Sequence, residues 1–242
     1  DLPEFETGNF SMSYYMLPPM FSDSETIFQN FRENRVAISK RIAQSKGAAD
    51  NLFNPDGTVQ GFGGSSPEVL LPSFLAAYSG GNAKTVGLKP FKNIPIPNWN
   101  LRYNGFMKYK WFKKNFSSFS LTHGYKSSYS ISSFTNNTQF SPQSGSGEIN
   151  YQTNKPKTDI NGNFQPELLI SSVSLIDEFS PLMRIDMKMK NSFSFKGEIK
   201  KDRALTLNLN NSTLTDVKGT EFILGFGYRI KDVKMKTKIT GR

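Results

Sequence analysis

The sequence has no cysteine and a single histidine, His123. The absence of thiols excludes disulfides, thiolate zinc sites, iron–sulfur clusters and cysteine nucleophiles together. One imidazole also excludes any metal site that needs two histidines from one chain. No run of roughly 18 apolar residues occurs, so the chain offers no candidate transmembrane helix. Hydrophobic residues make up 36% of the 242, with a mean hydropathy of −0.47, below the roughly 45–50% (glycine included) of ordinary globular chains. That is little material for a conventional thick core. Thirty Lys and Arg against 20 Asp and Glu give a net charge of +10 and a pI near 9.6. This balance suits nucleic acid, anionic lipid or a solvated basic surface, and does not choose among them.

What is present is aromatic and alternating. Twenty-one Phe and nine Tyr argue against disorder, and period-two alternation, which puts successive side chains on opposite faces of a strand, runs through most of the chain. Phe10, Met12, Tyr14 and Met16 share one face of a first segment, and Trp99, Leu101, Tyr103, Met107 and Tyr109 one face of a second. Phe119 to Phe134 is the longest, with Phe119, Leu121, Tyr125, Tyr129 and Ile131 opposite a Ser- and Lys-rich face. Toward the C-terminus come Met183–Met189, Phe193–Ile199, Leu205–Leu209 and Phe222–Ile230, preceded by a less regular strand over Leu168 to Ile176. The connectors Phe179-Ser180-Pro181, Lys190-Asn191, Lys201-Asp202 and Asp216–Gly219 are predicted to be hairpin turns, making the last four strands a meander.

The pattern changes between about 21 and 96. A capping-box sequence at Ser22-Asp23-Ser24-Glu25 and apolar residues at Ile27, Phe31, Ile38 and Ile42 predict an amphipathic helix over Ser24–Ser45. A short helix is predicted over Pro67–Tyr78, with proline in its first turn. The expected organisation is a strand in 1–20, an inserted helical and loop-rich segment in 21–96, and antiparallel strands over 97–242 with a polar loop at about 135–163.

Alternation of this kind suits a sandwich, a soluble barrel or a membrane barrel. The polar faces are Ser, Thr, Asn, Lys, Arg and Gly, as a wetted lumen requires, and strands of ten or more residues exceed the usual soluble length of about 5–6. A spanning strand needs roughly 9–11. The expected fold is therefore all-β, an antiparallel transmembrane β-barrel. Arg102, Lys126, Arg184, Lys188 and Lys196 would face the lumen as a cationic, hydrated wall, and Trp99, Tyr109, Trp111, Tyr125 and Tyr228 would sit at the membrane interfaces. The chain starts without a leader and ends Lys238-Ile239-Thr240-Gly241-Arg242 rather than on an aromatic-terminated strand, which suggests an arc of a larger barrel.

Several motifs resemble one family. They are Glu6-Thr7-Gly8-Asn9-Phe10-Ser11-Met12-Ser13-Tyr14 leading to Leu17-Pro18-Pro19-Met20-Phe21, then Glu68 to Tyr78 (EVLLPSFLAAY), and Ile94-Pro95-Ile96-Pro97-Asn98-Trp99 with Tyr103-Asn104-Gly105. Further on come His123 to Tyr129 (HGYKSSY), Glu178-Phe179-Ser180-Pro181-Leu182, Arg203 to Leu207 (RALTL) and Gly225-Phe226-Gly227-Tyr228-Arg229. In order along nearly the whole chain, the set resembles the C-terminal part of the SprA/Sov family, the giant outer-membrane translocon of the Bacteroidota type IX secretion system. The resemblance implies a very large barrel that passes folded cargo proteins to the cell surface, beside a FadL-like partner barrel of the PorV type and a periplasmic plug protein, in outer-membrane lipid. It implies no catalytic residues and no cofactor.

Other chemistry is weakly carried. His123 lies between Leu121 and Tyr125 on an apolar face, which favours a structural role over a base or metal ligand. The cluster Gly61 to Gly64 with Ser65 and Ser66 lacks the Lys-Ser/Thr of a phosphate-binding loop. Asp177, Glu178 and Asp202 are expected at turns and rims rather than as an acid/base pair. Lys108, Lys110, Lys113 and Lys114 interleave with Tyr109, Trp111 and Phe112, a pattern shared by nucleic-acid grooves and by barrel turns whose lysines reach headgroups; the turn is favoured. The expected function is a non-enzymatic part of a protein-conducting channel that does not bind nucleic acid. The rivals are a self-contained small outer-membrane barrel with a hydrophobic ligand, and a soluble basic β-protein binding polyanions.

Overall fold

The computed structural model describes residues 6–15, 17–48, 52–140, 149–150 and 155–230. It is mostly antiparallel β-sheet with few helices. The elements are β1 (Thr7–Met12), α1 (Ser24–Ser45), α2 (Pro67–Tyr78), β2 (Trp99–Tyr103), α3 (Lys110–Asn115), β3 (Phe116–Asn136), β4 (Ile149–Asn150), β5 (Lys155–Pro156), β6 (Leu168–Ile170), β7 (Ser172–Met189), β8 (Phe193–Asn208) and β9 (Thr213–Tyr228). The main sheet runs β1-β3-β7-β8-β9, with β2 and β6 also paired to β3, while β4 and β5 form a separate ribbon. Two compact units result: Asp1–Asn98, Lys126–Asp177 and Asp202–Lys218 form the first, and Trp99–Tyr125, Glu178–Lys201 and Gly219–Arg242 the second.

The strands are longer and fewer than the sequence suggests. Phe179-Ser180-Pro181, predicted as a turn, lies inside β7, where the Ser180–Pro181 bond is cis. Lys201-Asp202 lies inside β8 and Asp216–Gly219 inside β9. Asp177, Glu178 and Asp202 are accordingly strand residues, and Asp177 is fully buried. Of the predicted connectors, Lys190-Asn191 is a turn; the other hairpin bends at Leu209–Ser212. The predicted strand over 99–109 stops at Tyr103, and a 3-10 turn at Gly105–Lys108 and α3 follow. The first strand starts earlier than expected, at Thr7, and Met16 lies outside the described residues, as do 141–148 and 151–154 of the polar stretch.

The first unit has a protein-like core. α1 forms over the predicted span, capped by Asp23, whose carboxylate accepts a hydrogen bond from the Thr26 N–H at 2.8 Å. Its Ile27, Phe31, Ile38 and Ile42 are all buried. α2 is apolar on every side and buried from Val69 to Tyr78, which makes it the central helix of this unit rather than a surface one. The same buried cluster holds Tyr129 and Ile131 of β3, Val173 and Leu175 of β7, and Leu205 and Leu207 of β8, all at most 1% exposed. Each such aliphatic side chain contributes about 1.5–3 kcal/mol. Ser39 of α1, itself buried, donates to the Phe62 carbonyl at 2.6 Å and accepts from the Val59 N–H at 2.8 Å, which holds the Gly-rich loop on the helix.

One buried ion pair ties α1 to the sheet of this unit. Arg203 on β8 and Asp216 on β9, 1% and 4% exposed, meet at 2.6 Å and 2.9 Å in a two-bond fork. Ser24, at the start of α1, donates to the same carboxylate at 2.7 Å, and Arg203 and Lys218 both donate to the Ser22 carbonyl. Burial pushes the Asp216 carboxyl up, but the hydrogen bonds from Arg203 and Ser24 outweigh it and hold the group below its ordinary 3.8. Its contribution is therefore complete above about pH 4 and disappears as pH falls through the depressed value.

Asp216→Asn is expected to cost about 3–5 kcal/mol by leaving Arg203 buried without a counter-charge, read as a fall in the urea midpoint of the purified protein. The double variant Arg203→Met/Asp216→Leu should recover most of that loss. Acid titration should lower the wild-type midpoint below pH 4 more steeply than that of the double variant; parallel curves would remove the pair from the account.

Candidate functional site

The second unit is built from segments of long strands. The strands that run through it, β3, β7, β8 and β9, are 21, 18, 16 and 16 residues long, all longer than the roughly 9–11 residues that cross a hydrocarbon layer. Among the described residues no helix is long and apolar enough to cross a membrane.

The outstanding feature is an uncovered apolar row. On β9 and just beyond it, alternate residues Phe222, Leu224, Phe226, Tyr228 and Ile230 are 68–71% exposed. Leu101 and Tyr103 on β2 and Met183 on β7 add exposed apolar area. Phe195 and Phe193 of β8 pack beside Phe226, with ring centroids 5.3 and 6.3 Å apart, so the row is part of a face. Water-soluble chains seldom leave so continuous an apolar surface bare.

Three cations of this unit hold carboxylate partners on its strands. Arg184 holds Asp186 through two hydrogen bonds of 2.7 and 3.2 Å, Lys196 pairs with Glu198 at 2.9 Å, and Lys200 with Glu221 at 3.0 Å. Of the five residues expected on a lumen, Arg184 and Lys196 thus carry carboxylate partners, Arg102 reaches the Ser120 hydroxyl at 3.4 Å, and Lys126 and Lys188 are exposed. Of the five expected interface aromatics, Tyr109, Trp111 and Tyr228 are exposed by more than 60%, Trp99 is half-buried and Tyr125 is buried. Tyr125 stacks with Trp99 at 4.6 Å and Phe179 at 5.0 Å.

His123 is placed for structure. Its Nδ1–H donates to the Leu182 carbonyl at 2.7 Å, and its ring lies 5.5 Å from Phe179 and 6.3 Å from Trp99. Pro181 brings no backbone N–H to the ladder, and the imidazole supplies a donor to the adjoining carbonyl. Beside it Gly124 is required by close approach, since a Cβ there would stand 3.0 Å from the Ser180 carbonyl oxygen. No group of three or more metal-ligating side chains occurs among the described residues.

The glycine cluster, in the first unit, has its amides engaged. Gly63 N–H donates to Asn163 Oδ1 at 2.8 Å and Phe62 N–H to the Val59 carbonyl at 3.0 Å. Gly61 has φ +84° and faces the Phe164 ring so closely that no Cβ fits. This is a packed turn rather than a phosphate cradle. The sequence reading missed the Arg203–Asp216 pair, although both charges fall on the apolar alternation of their strands, Arg203 in step with Leu205 and Asp216 with Leu214.

These features define a chain whose second unit presents an apolar strand face left exposed among the described residues. Comparison with protein-family models gave no match, and comparison with curated proteins gave none.

His123→Phe should lower the urea midpoint by the equivalent of about 1–3 kcal/mol, because the Leu182 carbonyl loses its partner, whereas His123→Gln keeps a donor and should lose less. Gly124→Val should cost at least as much through the collision with Ser180. Equal, small effects of Phe and Gln at position 123 would show that the hydrogen bond contributes nothing.

Proposed function

We propose that the chain forms part of the wall of an outer-membrane protein-conducting channel that exports folded cargo to the cell surface. The observation that carries this reading is the exposed row Phe222, Leu224, Phe226, Tyr228 and Ile230 on and just beyond a strand long enough to span. In lipid such a row is taken out of water, and the backbone polar groups are satisfied by the antiparallel ladder. In water the same row on a 16-residue strand at the edge of the described sheet would promote aggregation. The soluble polyanion-binding alternative is disfavoured for that reason.

The mechanism is geometric. A strand wall holds the apolar face toward lipid, and its Ser, Thr, Lys, Arg and carboxylate face toward a hydrated passage. Pairing of β9 with a further strand would remove the free edge, as continuation into a larger barrel requires. The collinear motifs from Glu6 to Arg229 supply the more specific part of the reading: a type IX translocon of the SprA/Sov kind, working with secreted cargo, a PorV-type partner barrel and a periplasmic plug.

The test is the intact mass of the native polypeptide extracted from outer membrane in mild detergent and detected with an antibody to 119–134. The expected species is several times larger than the 27.2 kDa of these residues and co-purifies with a smaller barrel. A free 27.2 kDa species that needs no detergent would overturn the proposal.

A further inference from the structure

Three separate stretches of the second unit meet at one end of its strands. The Asn115 carbonyl, closing α3, accepts a hydrogen bond from Lys190 N–H at 3.1 Å in the β7–β8 turn, and the Ser192 carbonyl of that turn accepts from Arg229 N–H at 3.0 Å. Ser117 Oγ donates to the Lys188 carbonyl at 3.0 Å, in register with the first contact. Residues 105–117, 187–195 and 225–230 therefore share one rim, and they contain seven cations and no carboxylate: Lys108, Lys110, Lys113, Lys114, Lys188, Lys190 and Arg229.

All seven are exposed, and none has an ion-pair partner among the described residues. Set among them are the exposed rings of Tyr109, Trp111, Phe226 and Tyr228. Phe106, Phe112, Phe116 and Phe119 stack behind α3 at centroid distances of 5.1–5.7 Å, which gives this short helix a fixed seat.

We infer that this rim docks the phosphates of anionic glycerophospholipids. The inference rests on the reading that the strand segments of this unit face lipid. Ammonium groups on flexible stems suit a charged, laterally mobile headgroup layer, and each basic residue near an anionic surface adds to the attraction. Amphipathic Trp and Tyr rings settle at the same depth. The β7–β8 link at this rim is three residues long, Lys190 to Ser192, while at the opposite strand ends β8 and β9 join through four residues, Leu209 to Ser212, and β3 and β7 through the long stretch 137–171; the long loops of outer-membrane barrels lie outside, which places this rim on the periplasmic side. The leaflet there is the phospholipid one, which selects a glycerophospholipid rather than a lipopolysaccharide phosphate.

The full-length protein is reconstituted into phosphatidylcholine vesicles containing about one fifth phosphatidylglycerol, with bromine on the acyl chains of one lipid or the other. The Trp111 signal is taken as the fluorescence lost on Trp111→Phe. At equal mole fraction, brominated phosphatidylglycerol should quench Trp111 about threefold more strongly than brominated phosphatidylcholine, and raised salt should reduce the difference. The variant Lys108→Gln/Lys110→Gln/Lys113→Gln/Lys114→Gln should lose the preference while phosphatidylcholine quenching stays. Equal quenching of the wild type by both lipids, or a preference that survives in the lysine variant, overturns the lipid-docking inference alone. Absence of quenching by either lipid overturns the membrane reading beneath it.

Discussion

Every long strand of this chain carries an apolar face, and how that face is covered governs the rest of the molecule. In the first unit the cover is protein. α1 and α2 share one buried cluster with Tyr129, Ile131, Val173, Leu175, Leu205 and Leu207, and the result is an interior with exposures near zero. In the second unit the described residues offer no such cover to Phe222, Leu224, Phe226, Tyr228 or Ile230. A low overall hydrophobic content and a well-packed core are thus compatible, because the buried aliphatics among the described residues all lie in the first unit. α2 shows this concentration most plainly: ten of its residues are buried, in a chain whose mean hydropathy is −0.47.

Much of this was legible from periodicity. The amphipathic helix could be read because Ile27, Phe31, Ile38 and Ile42 recur at helical spacing behind a capping residue, and the long strands because alternation persists through Phe119–Phe134 and Phe222–Ile230. Strand breaks were not legible. Pro181, Lys201-Asp202 and Asp216–Gly219 have the composition of turns, yet each sits within a continuous strand. Local turn chemistry yielded to long-range partners there: His123 serves the carbonyl next to Pro181, and Arg203 and Asp216 neutralise one another across the ladder. Such partners lie 13 or 59 residues apart in sequence, so no window of local pattern contains both.

The opposite error occurred at 104–115. Alternation carries past Tyr103 through Met107 and Tyr109, yet the chain turns into a 3-10 segment and then α3. The rings explain it. Phe106, Phe112, Phe116 and Phe119 are spaced so that a helical turn stacks them into one cluster, with Phe106 and Phe112 parallel at 5.2 Å and Phe112 and Phe119 edge-on at 5.1 Å. An extended chain would leave Phe106, Phe112 and Phe116 on one side but about 13–20 Å from one neighbour to the next, too far to stack. Packing of four phenylalanines outweighs a short run of strand-like alternation.

Charge follows the same division between what is internally satisfied and what is left open. Arg184–Asp186, Lys196–Glu198 and Lys200–Glu221 cancel in pairs within the second unit, and each exposed pair contributes little stability, about 0–1 kcal/mol. Their effect is to remove net charge from the polar side of the strands. The excess behind the chain's +10 is not spread evenly: seven cations without a carboxylate gather on the rim formed by 105–117, 187–195 and 225–230. A uniformly solvated basic surface would have no reason to sort its charges this way. On the proposed reading of a strand wall that ends at a headgroup layer the sorting follows, because cations are costly along a hydrocarbon-facing length and favourable where phosphates begin. The exposed apolar row and the cationic rim are then two parts of one polarity profile, apolar along the strands and basic at their end.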